Sequence, residues 1–238
     1  MSRRRAWVLA LARRYARRRA RRELDGVWVA GLDEARALAA AGPVIFAATH
    51  VSWWDAFMVV LADAALGTTS HCLMDADNLT RLPFFGWIGA IPIDRSGGSK
   101  ARAGLRQAAE LTAAPQAALW IFPQGRQRPA HLRPLGLQPG VELLARLCKA
   151  PVVPVSLSYQ FREGERPAAL LRFGAPLSGG GLAQLEGALI AGLDEIDTFV
   201  DQGPAAAPAF SALVAGPAAP SQDGLGARIL RWIGGRGA

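Results

Sequence analysis

Apolar residues in this chain gather in short unbroken runs separated by stretches in which they recur at helical spacing, and the two patterns alternate. Val27-Trp28-Val29, Val44 to Ala48, His71 to Met74, Ile91-Pro92-Ile93, Ala117 to Phe122, Val152 to Tyr159 and Leu170 to Phe173 read as strands. Between them, Trp53 to Leu66, Ser99 to Thr112, Gly140 to Lys149 and Leu182 to Val200 read as helices, Leu32 to Ala41 as a short helix or loop, and Pro83-Phe84-Phe85-Gly86-Trp87 as an aromatic loop. Strands that are apolar throughout, rather than on alternate positions, are covered on both faces. The fold class expected is therefore α/β, a single domain with a mixed, largely parallel β-sheet flanked by helices. A length of 238 residues suffices for one such domain with a full core.

The two ends break the pattern. Residues 1–22 hold ten arginines and no acid, which leaves 17 basic against 19 acidic residues in 23–238, a net charge of −2. The overall charge of +8 thus belongs to the N-terminus. There Trp7, Val8, Leu11 and Tyr15 fall on one side of a helix spanning Arg3 to Arg22, in a stripe interrupted by Arg4, Arg18, Arg19 and Arg22. Such a helix suits an anionic membrane surface, each arginine near the headgroups contributing about 1 kcal/mol. Phosphate attraction in nucleic acid is the rival and a solvated tail the plain alternative; nucleic acid is not the expected partner. Arginines follow the apolar Ala6 to Ala12 stretch where a secretory signal would have its cleavage site. The expected organisation is a basic helical segment over 1–24, a domain over 25–202, and a Pro/Ala/Gly-rich flexible tail over 203–238 in which Leu225 to Ile233 could form a second interfacial helix.

No apolar run approaches the roughly 18 residues of a spanning helix. Cys72 and Cys148 have neither metal-site spacing nor the density of a disulfide framework, which fits a reducing compartment. A peripheral protein on the cytoplasmic face of the cell membrane is the expectation.

Candidate chemistry begins where the second strand ends, at Thr49-His50-Val51-Ser52-Trp53-Trp54-Asp55. A histidine that takes a proton from a hydroxyl needs a fixed tautomer and a carboxylate to stabilise its cation, and Asp55 is placed to supply one. Five residues apart on one helix the two side chains would point roughly 140° apart. They meet only if His50 precedes the helix, and Ser52 is a suitable N-cap for that. Ser52 and Asp55 also fit a capping box, in which Asp55 answers the helix N-terminus alone.

Two further loops leave strands with chemistry attached. Ile91-Pro92-Ile93-Asp94-Arg95 brings an arginine fork to the Gly97-Gly98 turn, where it can hold a phosphate or merely pair with Asp94. Phe122-Pro123-Gln124-Gly125-Arg126-Gln127-Arg128 brings two arginines past a glycine that lets backbone approach a ligand; a solvated loop is the alternative.

In this order the segments resemble the four motif blocks of the PlsC-like glycerolipid acyltransferases. His50 and Asp55 match the first block, a His and an Asp with four residues between, and Arg95 matches the second. Phe122, Pro123 and Gly125 match the third, Phe-Pro-Glu-Gly-Thr-Arg, and Val153-Pro154-Val155 the fourth, so the likeness runs from 27 to about 175. Gln124 replaces the glutamate of the third block, and Arg126 and Arg128 flank the usual arginine position.

The resemblance implies a glycerol-3-phosphate acyltransferase-like fold with a groove for an acyl chain. It implies His50 and Asp55 as catalytic base and partner, and Arg95, Phe122, Pro123, Gln124, Gly125, Arg126 and Arg128 as substrate-binding. The activity implied is transfer of an acyl group from acyl-CoA or acyl carrier protein to a lipid hydroxyl, first of all that of 1-acyl-sn-glycerol-3-phosphate, with no cofactor or metal beyond that co-substrate. Another lysolipid, a glycolipid or a glycosylated terpenoid is the alternative acceptor, because Gln124 and the shifted arginines alter the head-group loop. A lipid- or nucleic-acid-binding protein with a structural His50 and Asp55 is the alternative class.

Other groups carry weaker signals. His71 and His131 lack partners at catalytic spacing, Ser52 lacks the Gly-x-Ser-x-Gly elbow of a serine hydrolase, and Phe84-Phe85-Gly86-Trp87 reads as core or interface. Asp75, Asp77 and Asn78 hint at a metal loop without further ligands.

Overall fold

The computed structural model describes residues 4–94, 97–114, 116–162, 164–178, 181–203 and 210–216. In chain order its elements are α1 (Ala6–Glu23), β1 (Gly26–Ala30), α2 (Leu32–Ala41), β2 (Val44–Ala48), α3 (Asp55–Leu66), β3 (Thr69–Asp75), α4 (Ala76–Arg81), α5 (Phe84–Ile88), β4 (Ala90–Ile93), α6 (Gly98–Thr112), β5 (Ala117–Ile121), α7 (Gly140–Cys148), β6 (Val152–Phe161), β7 (Pro167–Phe173), α8 (Leu182–Gln202) and β8 (Ser211–Ala215). One eight-stranded sheet has the order β4-β3-β5-β2-β6-β7-β1-β8. The β1/β7, β2/β5, β2/β6, β3/β4 and β3/β5 pairs are parallel, and only β6/β7 and β1/β8 are antiparallel. The mixed, largely parallel α/β sheet expected from the apolar runs is thus present.

Every residue of β2 and β5 is buried because helices cover both faces. Phe46, Trp120 and Phe173 pack under α1, α2 and α3, while Ile45, Leu119 and Leu170 pack under α6, α7 and α8. The two central strands end together, so the loops that follow them share one edge of the sheet.

Three segments depart from expectation. Phe84 to Ile88 is a helical turn and not a loop: Arg5 N–H donates to Trp87 O at 2.7 Å and its guanidinium lies over the Trp87 ring, so contact with the α1 end sets a conformation that local propensity does not favour. Asp75 caps α4, accepting from the N–H groups of Asp77 and Asn78, which accounts for the acidic cluster without a metal. Within the stretch expected to be a flexible tail, Ser211–Ala215 adds β8 to the edge of β1, with Val214 in the core. Its Ser-Ala-Leu-Val-Ala sequence is short and weak alone, and the unpaired edge of β1 supplies its hydrogen bonds. The second helix anticipated over 225–233 lies outside the described residues, as does Arg95.

Helix α1 docks by its small residues. Ala16 and Ala20 are buried against the sheet's helical layer, while Trp7, Leu11 and Tyr15 face outward at 62, 57 and 53% exposure. Arg13, on the docking side, reaches Asp63 of α3 at 2.6 Å.

Candidate active site

Strand β2 hands the chain to the site through Thr49, whose N–H donates to Val155 O and whose hydroxyl both donates to Leu157 O and accepts from Leu157 N–H. The side chain thereby continues the β2/β6 ladder one step past the strand's end. His50 follows with its own backbone held at both groups: its N–H donates to Gln124 Oε1 at 2.6 Å, and its C=O accepts from Arg128 N–H at 2.8 Å. Beneath it the Phe122 ring stacks on the imidazole at 4.4 Å between centroids.

Helix α3 starts at Asp55, leaving His50 outside it, and the two side chains meet with 2.6 Å between Nδ1 and Oδ2. Asp55 is fully buried, and its Oδ2 also accepts from the N–H groups of Val51 and Ser52 at 2.8 and 3.1 Å. Its Oδ1 accepts from the Tyr159 hydroxyl at 2.9 Å. The carboxylate is an acceptor in every one of these bonds, so the proton between the pair belongs on Nδ1 and the lone pair of the neutral imidazole on Nε2. The His50 side chain is 24% exposed, against 1% for that of Asp55, so the carboxylate is inside and the imidazole nearer the surface. Asp55 does not answer the helix N-terminus alone: the oxygen that accepts from Ser52 N–H also holds His50, and the reciprocal bond of a capping box, from Asp55 N–H to Ser52 Oγ, is replaced by one to Ser52 O. Ser52 does not cap α3 directly; its Oγ accepts from Trp54 N–H in the preceding turn.

The loop after β5 frames the imidazole. Gly125 has φ +67° and closes a turn back to Phe122 O, a conformation that favours glycine. Pro123 and Gln124 are buried, and Gln124 uses both ends of its amide, accepting from His50 and donating to Leu135 O at 3.4 Å. Phe122 and Gln124, expected to touch substrate, therefore support His50 from below and behind. Arg126 is exposed, whereas the Arg128 guanidinium lies across Gly136, where any side chain would collide with it. The geometry brings together His50, Asp55, Phe122, Gln124 and Arg128, and adds Tyr159.

Tyr159 escaped the sequence reading because it stands 104 residues from Asp55 and belongs to no motif. Its only signal is the period of β6, where Val153, Val155, Leu157 and Tyr159 share one face. Burial, and then the charge of Asp55, push its phenol well above the usual tyrosine range, so it remains a hydrogen-bond donor. Beside it opens a cleft of about 320 Å³, walled by Leu24, Trp54, Pro129 and Pro167 with Ser52 and Tyr159 on the side of the dyad.

His71, the other histidine on a strand, is buried against Gly89 O, and burial lowers its pKa. No group of three or more potential metal ligands occurs among the described residues.

Comparison with known proteins agrees with this architecture. The Acyltransferase family model matches residues 27–158. No curated protein matches the chain. The crystal structure of PlsC from Thermotoga maritima, a 1-acyl-sn-glycerophosphate (LPA) acyltransferase, superposes with a TM-score of 0.53 over 82% of this chain and 80% of that one, at 16% identity, a likeness of fold. With more than half of its length matched by the family model, the chain belongs to the acyltransferase family, as its resemblance to the PlsC-like members implied, and is an acyltransferase.

Proposed function

We propose that the protein transfers a fatty acyl group from a thioester of coenzyme A or acyl carrier protein to the hydroxyl of a glycerolipid acceptor, first of all 1-acyl-sn-glycerol-3-phosphate, with His50 as general base. The observation that carries this reading is the 2.6 Å contact that pairs His50 Nδ1 with a buried carboxylate and leaves Nε2 without a partner among the described residues.

In this mechanism Nε2 removes the acceptor's hydroxyl proton as its oxygen bonds to the thioester carbonyl carbon. The tetrahedral intermediate collapses with cleavage of the C–S bond, and the imidazolium returns the proton to the departing thiolate. Asp55 stabilises the imidazolium through Nδ1–H. General-base catalysis of this kind contributes about 10²–10⁴-fold, the remainder coming from proximity and electrostatic stabilisation. The cleft beside Tyr159 seats apolar substrate, and Arg95 with the exposed Arg126 binds the acceptor's phosphate.

The protein works at an anionic membrane surface. Trp7, Leu11 and Tyr15 stand outward on α1 among Arg14, Arg18 and Arg22, and Trp53 is exposed beside them with Arg19 over its ring at 5.2 Å. Aromatic side chains in a basic setting fit the headgroup boundary. No helix among the described residues is long and apolar enough to cross a membrane. The outward aromatic and basic face of α1 supports peripheral attachment, with the cytoplasmic leaflet as the proposed location.

Thiol release from acyl thioesters, with mass spectrometry of the lipid product across several acceptors, tests the assignment. His50→Ala is expected to abolish turnover in a folded protein, and Arg95→Ala to raise KM for a phosphorylated acceptor. A His50→Ala protein that turns over normally rejects the base, and an unchanged acceptor dependence in Arg95→Ala rejects the phosphate contact.

A further inference from the structure

The dyad has a third member that the reaction depends on. We infer that Tyr159 is a positioning residue for this active site, its hydroxyl locking the carboxylate of Asp55 so that the His50 imidazole is held in one orientation. The inference rests on the assignment of His50 as base.

Three observations lead to it. First, the donors to Asp55 are unevenly shared: Oδ2 takes His50 Nδ1, Val51 N–H and Ser52 N–H, while Oδ1 has the Tyr159 hydroxyl as its one partner among the described residues. Turning the carboxylate about its Cβ–Cγ bond moves both oxygens and carries the imidazole along, and a donor on each oxygen resists that rotation more stiffly than donors on one.

Second, the tyrosine is delivered by a rigid route. Thr49 is bonded to Leu157 at both backbone groups, which sets β6 in register with the very residue that precedes His50. Two positions further along the same face comes Tyr159, and Phe161, two beyond, is already exposed. The base leaves β2 level with Leu157 of the neighbouring parallel strand, and the group that orients its acid stands two residues further along that strand.

Third, the hydroxyl has no competing protein partner among the described residues, and the Asp55 end of the bond is wholly buried. The ring also forms part of the cleft wall, so a substrate contact is the rival role, and kinetics separate the two.

The test compares Tyr159→Phe, Asp55→Asn and the double variant, each checked for folding. Tyr159→Phe removes one oxygen and keeps the ring. Misplacing a reacting group costs up to about a hundredfold, and the expected result is a loss of kcat of about ten- to a hundredfold with KM for thioester and acceptor within about twofold. In the Asp55→Asn background the same change is expected to alter kcat by less than about twofold, because the two residues act as a unit.

An unchanged kcat, an equal loss in both backgrounds, a rise in KM alone, or a Tyr159→Phe chain that does not fold each overturns the inference. The chain has only two tyrosines, so 3-fluorotyrosine in a Tyr15→Phe protein gives a fluorine signal from position 159 alone, which reports on the contact while keeping its hydroxyl. That resonance is expected to move in Asp55→Asn, and one that stays put also overturns the inference. If His50→Ala and Asp55→Asn keep full activity, the base assignment itself fails. If they lose activity and Tyr159→Phe does not, only the role of Tyr159 fails.

Discussion

Helix α3 carries two buried aspartates, Asp55 at its first residue and Asp63 eight residues on, exposed by 0 and 3% respectively. Each carboxylate accepts several hydrogen bonds, yet their partners differ in kind. Asp63 accepts from the Thr68 hydroxyl and Ser70 N–H on one oxygen, and faces the guanidinium groups of Arg13 at 2.6 Å and Arg4 at 3.7 Å on the other. A guanidinium has donors only and no acceptor atom to offer a substrate. Asp55 faces a partly exposed imidazole whose second nitrogen has no partner among the described residues. A buried carboxylate against arginine is a tether, here fastening α1 to the domain; against histidine it directs a lone pair. Burial alone did not distinguish them.

Substitution should separate the two along the same line. The largest effect is expected at the dyad, where His50→Ala and Asp55→Asn lower kcat by about 10²–10⁴-fold in steady-state thioester assays. Both should keep the circular dichroism of the parent. Asp63→Ala is expected to do the reverse, lowering stability by about 3 kcal/mol in urea titration while kcat in detergent solution stays near the parent value. A tether role for Asp63 fails if that variant is inactive yet fully stable.

Smaller effects should follow from what the tether holds in place. Replacing Trp7, Leu11 and Tyr15 together by Ala is expected to weaken co-sedimentation with anionic vesicles by about tenfold or more, from the apolar area removed. Thiol release from a soluble acyl thioester should not change. Equal sedimentation of parent and triple variant would show that α1 does not face lipid.

The smallest effect concerns His71, beside Gly89 on the strand next to this cluster. Burial depresses its folded pKa below the ordinary value of about 6.5. The unfolded chain then binds the proton first, so stability is unaffected at high pH and declines as pH falls through about 6.5 toward the folded value. The slope cannot exceed about 1.4 kcal/mol per pH unit for one proton. His71→Gln should flatten it in urea titrations between about pH 7.5 and 5.5.

Much of this architecture was legible before folding. The strand at Val44 to Ala48 has the observed limits, since an unbroken apolar run specifies itself locally, while Leu32 to Ala41, whose pattern leaves helix and loop both open, is a helix over those residues. The need for His50 to stand before the helix followed from helix geometry, and Asp55 does begin α3. Other features were hidden for physical reasons. Gln124 could be read as a change of charge, but its service to the His50 backbone depends on a loop closed by Gly125 and on the approach of two strands. The helical turn at Phe84 and the strand at Ser211 depend on α1 and on the edge of β1, partners far along the chain.

By itself, then, the order of residues determined the α/β layering, the meeting of His50 with Asp55 and the basic character of the first helix, because each arises from contacts within a few positions or from composition. The tertiary structure alone decided which face of α1 is buried, which of the two α3 carboxylates serves a histidine, and that a tyrosine 104 residues away completes its coordination. Those outcomes depend on parallel strand register, and register is a relation between segments that no local pattern contains.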